Sequence, residues 1–275
     1  MRLLAAVVLL VLGVVVAPAR AADTIEAHYR TAGPWAVATA DVPGYRLTYP
    51  ADLGAGGFKH PIITWGNGTN AVPTQYSGVL TQLASWGFAV VASTDTTTGT
   101  GSEMIAAAQY LADRNADASS VFYGKLDVTK VGAVGHSQGA GGSVNTAIKT
   151  SGLIDTVVPI SLPAPIWVSP GDAFSVSKLA CPVLFLSGAN DVIISPHSAI
   201  QTYYGQVPNA AAKALLKGAD HNTIQGTGGG FLGYLTAWLM YRLQDDTYAR
   251  GAFAGAAPEL NTNAGWQNQA EKNLP

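Results

Sequence analysis

Along most of this chain, short apolar runs alternate with longer segments whose apolar residues recur every three or four positions. Residues 61–65, Pro-Ile-Ile-Thr-Trp, form one such run and stop at Gly66-Asn67-Gly68. Over 75–86, Tyr76, Val79, Leu80 and Leu83 share one face of a helix; Gly87 ends it, and Phe88-Ala89-Val90-Val91-Ala92 resumes as a strand. The polar stretch 93–101 has no period and reads as a loop. Ser102 is placed to cap a helix over 103–115 that aligns Met104, Ala107, Ala108 and Leu111. A strand over 130–135, a small-residue helix over 140–149, short strands over 157–161, 183–187 and 213–216, and a helix over 230–243 complete the series. Residues 41–50 and the glycine cluster 54–57 read as an early strand and hairpin region. Strands that are apolar almost throughout are buried on both faces. Alternating with amphipathic helices, they predict an α/β fold with a mostly parallel sheet and helices on both sides. Beyond Gln244 the period is lost among Gly, Ala, Asn and Gln. Residues 246–275 therefore read as a tail that packs on the domain or extends from it, with Phe253, Leu260 and Trp266 as candidate anchors.

The first residues change the picture of where the chain works. Met1 and Arg2 precede an apolar run over 3–16 and then small residues to Ala22, the layout of a secretory signal peptide covering 1–22. The run is short for a membrane span, and later apolar runs are broken by Gly, Pro or polar residues. The expectation is a secreted chain, extracellular or periplasmic, with no stable membrane insertion. Roughly 250 residues remain, enough for one α/β domain, here 23–245, followed by the tail. Only 12% of residues are charged and the formal net charge is −2, so nothing marks a nucleic-acid partner. A monomer is expected. Cys181 is the single cysteine, which excludes an intrachain disulfide; at the entry to an apolar strand, it reads as a buried filler.

The candidate chemistry centres on Gly135-His136-Ser137-Gln138-Gly139, between a predicted strand and a predicted helix. A serine on so sharp a turn projects its hydroxyl clear of the backbone, and the flanking glycines permit the bend. A serine hydroxyl is barely nucleophilic unaided, so Ser137 needs a base. His221, in Gly-Ala-Asp-His-Asn just past the last predicted strand, is the best placed of the five histidines. His28 precedes the sheet, His60 lies at the wrong end of a strand, His136 points away beside the nucleophile, and His197 follows Asp191 too closely. Asp191, just beyond the strand 183–187, is the candidate carboxylate that orients the imidazole, with Asn190 and Asp172 as competitors.

An oxyanion needs donors. One is the backbone N–H of Gln138 at a helix start; the second belongs to the loop after Trp65, from Asn67 or Thr69. Thr69, Asn70 and Trp167 are candidate substrate contacts. Asn67-Gly68-Thr69 also matches a glycosylation acceptor, a weak signal in this position. The histidines are not spaced for a zinc site and the glycine loops lack a nucleotide fingerprint, so no metal or organic cofactor is expected.

On these residues the chain resembles the dienelactone-hydrolase-like branch of the α/β-hydrolases, close to secreted bacterial cutinases and polyester-hydrolase lipases. The resemblance runs from about Val42 to Met240. It rests on the glycine loop and following helix, Leu83-Ala84-Ser85-Trp86-Gly87-Phe88, Gly135-His136-Ser137-Gln138-Gly139-Ala140-Gly141-Gly142, Pro182-Val183-Leu184-Phe185-Leu186-Ser187-Gly188-Ala189-Asn190-Asp191, and Gly218-Ala219-Asp220-His221. It implies the α/β-hydrolase fold, a Ser137–His221–Asp191 triad and an oxyanion N–H from Gln138. Trp167 is the candidate counterpart of a tryptophan frequent in the family. The chain departs from the pattern in lacking both the family's aromatic residue after a first-loop glycine and its C-terminal disulfide. With no helical lid evident, the implied activity is hydrolysis of short-to-medium acyl esters, extending to polyesters, through an acyl-enzyme. The same triad also serves amidases and peptidases, and a non-catalytic surface interaction module is the remaining alternative.

Overall fold

The computed structural model describes residues 24–275, so the expected leader, 1–22, lies outside it. In chain order the elements are α1 (Ile25–Arg30), β1 (Val37–Val42), β2 (Tyr45–Pro50), β3 (His60–Gly66), α2 (Ser77–Ser85), β4 (Ala89–Ser93), α3 (Ser102–Ala116), β5 (Leu126–His136), α4 (Gln138–Lys149), β6 (Thr156–Ile160), β7 (Val183–Gly188), α5 (His197–Gln206), β8 (Ala211–Leu216), α6 (Leu232–Leu243), α7 (Thr247–Arg250) and β9 (Trp266–Lys272). The strands form one sheet in the order β1-β2-β4-β3-β5-β6-β7-β8-β9. β3 to β8 run parallel, while β1, β2 and β9 join antiparallel at the edges.

Alternation along the central strands explains the two layers. Ile63, Leu184 and Leu186 face a core closed by α2 and α6, with Tyr76, Leu83, Leu235, Trp238 and Phe253. Ile62, Val183 and Phe185 face the opposite core, closed by α3, α4 and α5, with Met104, Leu111, Val144 and Ile200. Both strand faces are buried, which is why these strands read as unbroken apolar runs. Cys181 is 8% exposed and burial pushes its thiol up to about 12, as befits a packed, unreactive sulfur.

Several elements differ from the periodicity. The 75–86 segment begins with a 3-10 turn, Pro73–Tyr76, before α2. The glycine cluster 54–57 is a turn around Ala55–Gly57 rather than part of the hairpin, which β1 and β2 make across Pro43-Gly44. α5 goes unread in the sequence because only Ile200 and Tyr203 are buried on it. The tail packs on the domain through its expected anchors, and only its closing strand goes unread in the sequence. It wraps the body, burying Phe253, Leu260 and Trp266, and returns as edge strand β9 against β8. It also clasps the first helix: Glu259 accepts the N–H groups of Ile25 and Glu26, and the Trp266 indole N–H donates to Glu26 at 3.2 Å.

Candidate active site

The parallel strands all end on one edge of the sheet, where ligands sit in open α/β folds. At the end of β5 the chain turns through Ser137, whose φ of 55° and ψ of −119° lie outside the regions ordinary residues prefer. Such a backbone costs about 1–3 kcal/mol and persists only where its surroundings enforce it. The Ser137 N–H is held by the Ile160 carbonyl at the end of β6, at 3.0 Å. The flanking glycines act differently from the expectation: the positive φ falls on the serine itself, and the glycines are needed for close approach. A Cβ at Gly135 would lie 2.1 Å from the Gly139 carbonyl oxygen, and one at Gly139 2.3 Å from that of Gly66. Without side chains at both positions, α4 packs directly on β3 and β5.

Two further loops converge on this turn. His221 Nε2 lies 2.9 Å from Ser137 Oγ, and His221 Nδ1 lies 2.6 Å from Asp191 Oδ2. Nδ1–H donates to the carboxylate, so Nε2 is free to accept the serine proton. The Asp191 and His221 loops are joined by their backbones, with Ala189 N–H on Leu216 O and Asn190 N–H on Ala219 O, both at 2.8 Å. Asp191 is 4% exposed. Burial works against its charged form, but the bond to His221, the imidazole's charge and the Ser195 N–H, 3.1 Å from Oδ1, outweigh it and hold the carboxyl below its usual range.

His136, set aside by the sequence as a bystander, is built into this arrangement. Its Nε2 donates to the backbone carbonyl of His221 at 2.8 Å, which fixes Nδ1 as an acceptor for the Tyr76 hydroxyl at 3.0 Å. Tyr76 Oη in turn accepts the Gly68 N–H at 3.0 Å. This buried relay ties the loop after β3 to the backbone of the candidate base. Burial first, then the neighbouring His221, lowers the His136 pKa to about 3, so the ring is neutral. Of the other histidines, His60 bonds Gly87 O and Gly54 N–H inside the domain, His28 meets Trp86 edge-on, and His197 opens α5.

The loop after β3 sorts its own candidates. Asn67 is fully buried, and its amide donates to Ser93 O at 2.7 Å and Asp95 O at 3.0 Å, so its side chain faces away from the serine. Gly68 N–H is committed to Tyr76, and Asn70 N–H to Thr96 O at 3.0 Å. Thr69, between them, lines the cleft beside Ser137; Asn70 does not. Of the two candidates for the second donor, Thr69 lines the cleft and Asn67 does not, and Gln138 N–H at the start of α4 is the candidate first donor.

The cleft holds about 340 Å³ and is lined by Ser137, Gln138 and His221 together with Pro163, Trp167, Val168, Phe174 and Ile194. Trp167 is half-exposed, and its indole N–H bonds Ile193 O at 2.9 Å. Ile166, Val192 and Ile193 stand exposed nearby. Asp172, considered in the sequence as a rival to Asp191, also lines the cleft, where it accepts from Gln138 Nε2 at 2.8 Å. Most of this wall, 163–176, was illegible beforehand because it consists of single 3-10 turns without periodicity. Among the described residues no cluster of side chains could hold a metal ion, and no helix is long and apolar enough to cross a membrane.

A family model described as PETase, PET hydrolase-like, matches residues 14–272. The chain belongs to this family. Its nine-stranded, mostly parallel sheet is the α/β-hydrolase fold of the PET hydrolase-like family, and the resemblance to cutinases and polyester hydrolases stands. Similar proteins include a bis(hydroxyethyl) terephthalate hydrolase of Streptomyces coelicolor, 28% identical over 246 residues, covering 84% of this chain and 73% of the relative. Two Thermobifida alba cutinases, est2 and est1, are each 26% identical, covering 71% of this chain and 66% and 69% of their own lengths.

Proposed function

We propose that this carboxylic ester hydrolase is an exported, monomeric serine enzyme acting through an acyl-enzyme, with Ser137, His221 and Asp191 as its triad. Ser137 Oγ attacks the ester carbonyl as its proton passes to His221 Nε2, and Asp191 stabilises the imidazolium. The oxyanion is met by the N–H groups of Gln138 and Thr69, the first backed by the dipole of α4. His221 then protonates the departing alkoxide, and a water activated by the same ring releases the acid. The observation that carries this reading is the unbroken Ser137–His221–Asp191 chain, at 2.9 and 2.6 Å, over an apolar cleft.

Relatives named as a terephthalate-ester hydrolase and as cutinases favour ester over amide substrates. A cleft with an apolar rim suits short-to-medium acyl esters and accessible polyester chains. Export rests on the leader pattern of 1–22. The test pairs labelling with turnover. A fluorophosphonate should modify Ser137 alone, aryl esters should be cleaved far faster than matched amides, and Ser137→Ala should abolish both labelling and turnover while keeping the fold. Retained turnover in Ser137→Ala overturns the assignment.

A further inference from the structure

We infer that Asp172 is a charge filter on the cleft, making this enzyme selective for uncharged ester substrates over esters that carry a free carboxylate. The inference rests on the hydrolase reading above and specifies its substrate class.

Among the described residues, Asp172 and His221 are the only ionisable side chains on the cleft wall. The Asp172 carboxylate is set by its surroundings. Its N–H bonds Ser169 O at 2.9 Å, its carbonyl accepts from Asn145 Nδ2 at 3.1 Å, and Oδ2 accepts from Gln138 Nε2 at 2.8 Å. Space for it is made by Gly99, where a Cβ would fall 2.5 Å from Asp172 Cγ. The group is therefore held at the residue whose N–H is assigned to the oxyanion, within the same cleft as the attacking serine.

No lysine or arginine among the described residues forms an ion pair with Asp172. Lys149 and Lys178 border a separate depression behind Ala173 and Phe174, and the Lys149 ammonium donates to Thr100 O. Gln138 offers a neutral amide, which holds the carboxylate without neutralising it. A second carboxylate entering a half-buried cleft of this size meets the first across several ångströms at reduced dielectric. Repulsion there weakens productive binding by roughly tenfold to a hundredfold. A neutral group of the same shape meets only an acceptor.

The experiment uses two isosteric aryl esters, one bearing a free carboxylate and the other a primary carboxamide at the same ring position, assayed at pH 8. The wild-type kcat/KM should favour the carboxamide at least tenfold, and 0.5 M salt should narrow the gap. Asp172→Asn keeps an acceptor for Gln138 and removes the charge, so it should shrink the ratio at least fivefold. Because the readout is a ratio within each enzyme, general damage from the substitution cancels. Equal wild-type kcat/KM for both esters, or an unchanged ratio in Asp172→Asn, overturns the inference and leaves the hydrolase reading standing. Failure of the wild-type chain to turn over either ester overturns both.

Discussion

Tyr76 shows how much of this site depends on one hydroxyl. It accepts from Gly68 N–H and donates to His136 Nδ1, each at 3.0 Å, and is wholly buried. Tyr76→Phe leaves a buried donor and a buried acceptor unpaired, each a cost of about 1–3 kcal/mol. Because the two orphaned groups belong to the loop after β3, proposed to supply an oxyanion donor, and to the support of His221, we expect kcat to fall about tenfold with KM nearly unchanged. Steady-state kinetics with a urea midpoint check this; a stability loss with unaltered kcat would reduce the relay to packing. Ser137, Asp191 and His221 could be read from the sequence because each sits in a short, glycine-marked motif beyond a strand. The Tyr76–His136 and Gln138–Asp172 contacts could not, because no local motif marks those pairs as partners.

Elements, too, were legible in proportion to how deeply they are buried. The central strands and α2, α3, α4 and α6 follow apolar runs or helical spacing, whereas α5 and β9 carry mostly polar residues on exposed faces. What sequence could not supply was how closely neighbouring elements approach. Gly188, at the end of β7, is the clearest case: a Cβ there would sit 2.4 Å from Ala219 O, in the loop that delivers His221. Gly188→Ala should push that loop from Asp191 and lower kcat/KM by about a hundredfold, since misplacement near 1 Å costs that much. Gly205 of α5 is the internal contrast. A Cβ there meets nothing within 4 Å, so Gly205→Ala should leave kcat/KM intact and add up to about 1 kcal/mol of stability. Thermal unfolding and kcat/KM of both variants separate the cases; a Gly188→Ala enzyme of normal activity would show that the loop yields.

For the molecule as a whole, the buried histidine beneath the site contributes to its response to acid, together with His60 and His197, whose pKa values burial also lowers. His136 has its pKa depressed to about 3, against an ordinary 6.5, so between those values the unfolded chain binds a proton that the folded one refuses. Stability from this group is full above pH 6.5 and is lost as the pH falls, by roughly 1.4 kcal/mol per pH unit. Asp191, also depressed, adds to the loss only below the ordinary carboxylate value of 3.8. Urea midpoints from pH 7 to 4.5 should therefore decline steadily, and His136→Gln should flatten that slope even if it lowers the starting stability. An identical slope in the variant would place the acid sensitivity elsewhere.

The clasp between Glu259, Trp266 and the first helix has a consequence for how the molecule comes into being. Glu259 and β9 follow α1 and β8 along the chain, so until they are made α1 lacks the groups that hold it and β8 stands without its outer neighbour.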